Sequence, residues 1–215
     1  MKKFSLFMAA TLFLMIGCSS DEYNTELNQE SSKLILKKEN TNYIVSVNGE
    51  IVNQYMSQYA GGEYSKYEVF ENVTMISRSN LDYRVLEGSG TAYVDEVKID
   101  ASLNSPESYV ASLPFSSVAT QKVMSFLSQK VSYDDDTVLL IQVFTDSIRA
   151  NTDLDENEKN IIMRAAQLSL CKYNIDGEDP EWNKTRTVVA SALSGGLDSP
   201  AQAVLNAAVV TALTL

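Results

Sequence analysis

The sequence predicts an α+β fold: an N-terminal antiparallel β-meander followed by a C-terminal bundle of about five helices. Three observations lead there. From Lys33 to Ile99 apolar residues tend to alternate, as in Leu34 with Leu36 and Val45 with Val47, which is the period of a half-buried strand. Asn48-Gly49 lies between β-rich flanks, the residue pair favoured in two-residue hairpin turns. Beyond Asn104-Ser105-Pro106 the apolar spacing changes to a helical one.

The elements follow in chain order. Tyr43 to Val52 reads as a hairpin turning at Asn48-Gly49, and Gly61-Gly62 breaks the chain after it. Tyr67–Ile76 and Tyr83–Leu86 read as further strands, and Glu87-Gly88-Ser89-Gly90 as a turn into a strand over Thr91–Ile99. Val118, Val123, Phe126 and Leu127 suit a helix ending near Lys130. Thr137–Arg149 reads as a helix because Leu140, Phe144 and Ile148 recur every four residues behind the acids Asp134-Asp135-Asp136. Asp155 to about Tyr173 is another, with Asp155 and Glu158 at capping-box spacing. Thr185–Leu193 is stopped by Gly195-Gly196, and Ser199-Pro200 supplies an N-cap and a proline at the first position of a last helix, Pro200–Thr214. The division is residues 33–104 for the β region and 105–215 for helices packed on it as one domain.

Composition narrows the chemistry. The chain has 215 residues, 45% hydrophobic and 21% charged, a globular composition. It has no histidine, so histidine-based nucleophile triads, His-ligated zinc and imidazole pH switches are excluded. A net charge of −11 opposes binding to nucleic acid and to anionic membrane faces.

The N-terminus carries the strongest signal. Met1-Lys2-Lys3 precedes an apolar run from Phe4 to Ile16, followed by Gly17-Cys18. A basic segment, a short apolar segment and a small residue before a processing point mark an export leader, and the run is shorter than the roughly 20 residues a membrane-spanning helix needs. These residues resemble a bacterial lipoprotein signal peptide, with Met15 where the family more often has leucine three places before the cysteine. The resemblance covers residues 1–18 only. It implies removal of residues 1–17 and lipid attachment at Cys18, so that the chain meets the membrane through its N-terminal lipid. Removing Lys2 and Lys3 leaves 15 basic against 28 acidic residues, a charge of −13 on 198 residues. Residues 18–32 are polar, as a flexible tether is. Ser19-Ser20-Asp21-Glu22 is similar to the acidic signal that places some lipoproteins on the outer face of the outer membrane.

Candidate sites are few. Cys171 lies in an apolar helical context without a neighbouring histidine and reads as a buried small hydrophobe. Asp153-Leu154-Asp155-Glu156-Asn157 opens like a calcium loop, but Glu158 and Arg164 stand where that loop needs its turn glycine and its bidentate acid. Lys122 and Lys130 sit in no nucleophile motif. Seven tyrosines between Tyr43 and Tyr93 offer either ordinary packing or an aromatic binding face. No catalytic, cofactor-binding or metal-binding residue is assigned, and Cys18 is the single assigned site. From Thr187 to Leu215 the only charged side chain is Asp198, which fits a helix buried by its neighbours. The functional expectation is a lipid-anchored, non-catalytic binding or assembly component of the cell envelope, with a protein or glycan ligand left open. The alternative is a membrane-active antagonist that inserts its apolar C-terminal helices; a carboxylate-based hydrolase ranks below both.

Overall fold

The structure, a computed structural model, describes residues 40–131, 137–170 and 182–215, all within one compact unit that spans residues 37–215. Among the described residues ten helices make up the regular structure: α1 (Thr41–Tyr59), α2 (Lys66–Ser79), α3 (Leu81–Glu87), α4 (Glu96–Asn104), α5 (Pro106–Ser112), α6 (Ser117–Leu127), α7 (Thr137–Arg149), α8 (Glu156–Leu168), α9 (Trp182–Asp198) and α10 (Pro200–Leu213). No strand occurs among the described residues. The expected α+β fold with its β-meander is therefore replaced by an all-helical one.

The reason lies in which periodicity the core enforces. In α1 the buried side chains are Ile44, Val47, Asn48, Ile51, Val52 and Tyr55, a stripe at three- and four-residue spacing that one helix face presents. β-Branched residues have only a weak preference against helix, and burial of a continuous stripe outweighs it. Asn48-Gly49 accordingly forms no turn: Asn48 is buried within α1 and its amide donates to the Leu168 carbonyl at 3.5 Å. The expected strand Tyr67–Ile76 lies in α2, where Val69, Phe70, Val73, Ile76 and Ser77 face inward. Ser65 and Glu68 form a reciprocal capping box at its start. Tyr83–Leu86 belongs to α3, which Asn80 caps through Tyr83 N–H at 2.8 Å and Gly88 ends at φ 62°. Of the expected strand Thr91–Ile99, residues 91–95 carry no regular structure and α4 begins at Glu96, capped by Asp95. Leu34 and Leu36 lie outside the described residues.

The helical half agrees more closely with the sequence reading. α6, α7, α8 and α10 occupy the expected segments, and Ser199 caps α10 through Gln202 N–H at 3.0 Å with Pro200 in its first turn. α5 is an addition, and α9 runs through Gly195-Gly196 to Asp198 instead of stopping there. The glycines serve contact rather than termination. A Cβ on Gly195 would lie 2.5 Å from the Gln202 carbonyl oxygen, so glycine lets α9 and α10 close to backbone contact.

α10 is the centre of the fold. It touches α1, α2, α3, α4, α8 and α9, and every residue from Ala201 to Ala212 is buried. Two of its polar side chains form a bonded network: Gln202 Nε2 donates to the Tyr93 carbonyl and to Asn206 Oδ1, both at 2.7 Å, and Gln202 Oε1 accepts Tyr93 N–H at 3.0 Å. Asn206 Nδ2 donates to the Ser191 carbonyl at 3.2 Å. Paired polar groups avoid the desolvation cost that an unpaired one carries in such a core. A second layer joins α6, α7 and α9, where Phe126 stacks on Phe144 with ring centroids 4.0 Å apart and meets Trp182 edge-on at 5.2 Å. Among the described residues no helix is long and apolar enough to cross a membrane.

Candidate functional site

Pro106 cannot continue the helix before it, so the chain turns at Ser105 between α4 and α5. The corner stands against α9, which touches both helices. Two adjoining clefts open here, of about 360 and 420 Å³, and both are lined by Asn104, Ser105 and Ser108. The first is closed by Glu107 on one side and by Asn183 and Arg186 from the opening turns of α9 on the other. The second extends past Asp100 and Tyr109 to Ser112.

The charges of this groove are paired. Arg186 forms an ion pair with Glu107, and its Nη1 donates to Asn183 Oδ1 at 3.2 Å. Asp100 accepts from Lys66 Nζ at 2.9 Å, and the same ammonium reaches Glu96 at 2.6 Å. The carboxylates of Glu96 and Asp100 hold Lys66 above the ordinary lysine range. The Tyr109 hydroxyl lies 2.6 Å from Ser194 Oγ on α9, and burial pushes this phenol up. Ser105 heads α5 without a side-chain capping bond and lines both clefts. The arrangement supplies hydroxyl and amide groups that both donate and accept, on a wall fixed by ion pairs.

Residues singled out in the sequence fall elsewhere. Cys18, Cys171 and Asp134-Asp135-Asp136 lie outside the described residues. Asp155 caps α8 by accepting Glu158 N–H at 2.8 Å. Glu158 does not complete that capping box: its carboxylate accepts from Ser116 N at 2.6 Å and Ser116 Oγ at 2.9 Å, tying the start of α8 to the start of α6. Among the described residues no group of three or more histidine, cysteine, aspartate or glutamate side chains is placed to hold a metal. Lys122 and Lys130 are exposed.

The seven tyrosines form no single face. Tyr55 and Tyr83 are buried, whereas Tyr64, Tyr67 and Tyr93 are exposed. Tyr55, Tyr59 and Tyr64 pack in sequence with centroids 5.3 and 5.5 Å apart, and Tyr43 donates to Asp82 Oδ1 at 2.9 Å. Burial, with the Asp82 bond adding to it, pushes the Tyr43 phenol up to about 12.

The groove itself was not legible in the sequence. Asn104-Ser105-Pro106 marks a break between elements, but Asn183 and Arg186 are about 80 positions away, and only the packing of α9 against α4 and α5 brings them in. Comparison with protein-family models, with curated proteins and with solved structures gives no match.

Proposed function

We infer that the chain is a lipid-anchored component of the bacterial cell envelope, held at Cys18, and that its helical domain works by binding rather than by catalysis. The observation that carries this reading is the leader: two lysines, thirteen largely apolar residues and Gly17-Cys18. A lipid-modified cysteine with two acyl signals anchors stably, where a single chain does not. The polar stretch after Cys18 supplies a tether, and Ser19–Glu22 supports placement on the outer face of the outer membrane. The −13 charge of the processed chain favours partners other than nucleic acid.

The groove at the α4–α5 corner supports binding. Its ionised groups are each committed to an opposite charge, the arrangement of a fixed recognition wall. The rival reading, an inserting α9–α10 hairpin, requires α10 to leave the core. Val204, Leu205, Val209 and Val210 are all at most 1% exposed, and exposing each costs about 1.5–3 kcal/mol. Burial of α10 therefore favours the anchored binding component.

Palmitate labelling of cells tests the anchor. The wild-type chain incorporates label and Cys18→Ser does not; equal labelling of the two would refute it. Protease added to intact cells tests the outer placement. The helical domain is digested in the wild type and protected once Asp21 and Glu22 are both replaced by alanine, whereas digestion only after lysis would place it facing the periplasm.

A further inference from the structure

The chemistry of the α4–α5 groove restricts what it can hold. Its clefts of about 360 and 420 Å³ fall in the range of small-molecule sites, about 300–1,000 Å³. Such sites are ordinarily lined by apolar side chains; here the first cleft is mainly polar, with Asn104, Ser105, Ser108 and Asn183 in its wall. The second, which runs past Ala101 and Tyr109, exposes more apolar than polar surface, so the groove sets a hydrogen-bonding wall beside an apolar one. Charge is cancelled within the wall. Arg186 is taken by Glu107 and Asp100 by Lys66, so an anionic or cationic ligand would have to break an existing pair to gain its own.

What remains is a set of amides and hydroxyls that each donate and accept, beside one aromatic ring. Tyr109 lines the second cleft and its hydroxyl is bonded to Ser194 at 2.6 Å, which holds the ring in place. Ligand hydroxyls that also both donate and accept match such a wall, and the C–H face of a pyranose ring packs on an aromatic side chain.

We propose that the groove binds a neutral saccharide of one or two rings, hydrogen-bonded by Asn104, Ser105, Ser108 and Asn183 and packed against Tyr109. The proposal deepens the binding reading above and rests on it. Asn104 and Ser108 are the natural test positions, because both line both clefts and both are exposed, so neither supports the core.

The experiment uses the full chain in an amine-oxide detergent, whose headgroup is not a sugar. Saturation-transfer NMR and titration calorimetry are run with glucose, galactose, mannose, N-acetylglucosamine and their disaccharides, and with glucuronic acid and glucosamine as the charged arms. Binding of a neutral sugar is expected, weakened about tenfold in Asn104→Ala, the effect of losing one or two hydrogen bonds. Ser108→Phe fills the groove and abolishes binding, with the melting temperature of both variants unchanged. If Ser108→Phe fails to fold, Asn104→Ala decides alone. No binding by any neutral member at millimolar concentration, equal binding by wild type and variants, or preference for a charged sugar would each overturn the proposal. Palmitate labelling of the same proteins separates the two readings: lost sugar binding with labelling intact refutes the saccharide, and failed labelling with sugar binding intact refutes the anchor.

Discussion

Gly49→Ala and Gly195→Ala should change stability in opposite directions, and the sign of the first decides how the N-terminal region folds. Gly49 lies inside α1, and an added Cβ there meets nothing within 4 Å. The substitution therefore brings no clash and recovers the helix preference of alanine over glycine, about 0.8–1.0 kcal/mol. For a unit of this size that raises the melting temperature by roughly 2–4 °C. A type I′ hairpin at Asn48-Gly49 would instead hold Gly49 at positive φ, where alanine destabilises by about 1 kcal/mol or more. At Gly195 the same methyl would lie 2.5 Å from the Gln202 carbonyl oxygen and 2.8 Å from Ala203 N. Those are backbone atoms, so α9 and α10 must part, and the Gln202 bonds to Tyr93 and Asn206 are disturbed with them. Overpacking costs about 1–3 kcal/mol, against which helix preference returns about 1 kcal/mol. A net loss of up to about 2 kcal/mol is expected. Calorimetric melting of the purified variants measures both, and a melting temperature that falls in Gly49→Ala would refute the helical reading of α1.

Three further perturbations probe the core and a cap. Val204→Asp places a carboxylate at a fully buried position of α10; several kcal/mol are lost whether it ionises or is held neutral, which leaves a domain of about 5–15 kcal/mol marginal or unfolded. An unchanged melting curve would instead show that α10 leaves the core easily and would favour the membrane-active reading. Gln202→Ala removes three hydrogen bonds, two of them to the Tyr93 backbone, and should cost about 1–3 kcal/mol with loss of amide-exchange protection at Tyr93; retained protection would contradict the network. Glu68 is held below the ordinary glutamate range by the Ser65 hydroxyl and then by the Ser65 backbone N–H. Its contribution is therefore present above the unfolded-state pKa and lost as pH falls through the lowered folded-state value. Glu68→Gln should flatten the pH dependence of melting in that acidic window, and an unchanged slope would remove the capping box from the account.

The helical half was legible because its signals are local: Ser199-Pro200 and Asp155 announce helix starts at the positions the structure uses. The N-terminal half misled because β-branched residues and Asn-Gly suggest strands and a turn, while the deciding stripe from Ile44 to Tyr55 has a period that only burial against the rest of the fold rewards. A contrary signal was present in Ser65-Lys66-Tyr67-Glu68, a capping-box spacing that opens α2. The β-rich composition of Tyr67–Ile76 competed with it, although Val69, Phe70 and Val73, at helical spacing, are the residues that go inside. Gly195-Gly196 carries the converse lesson. Two glycines in sequence look like a stop, and only the approach of Gln202 shows that the first of them serves helix contact.

The mass of the chain recovered from the membrane fraction tests the central claim, attachment through a lipidated Cys18, most directly. Intact-mass and N-terminal peptide analysis should show residues 1–17 removed and a first residue, Cys18, bearing a diacylglyceryl thioether, with the same analysis of Cys18→Ser showing neither. A chain that retains residues 1–17, or one that begins beyond Cys18 without lipid, would contradict it.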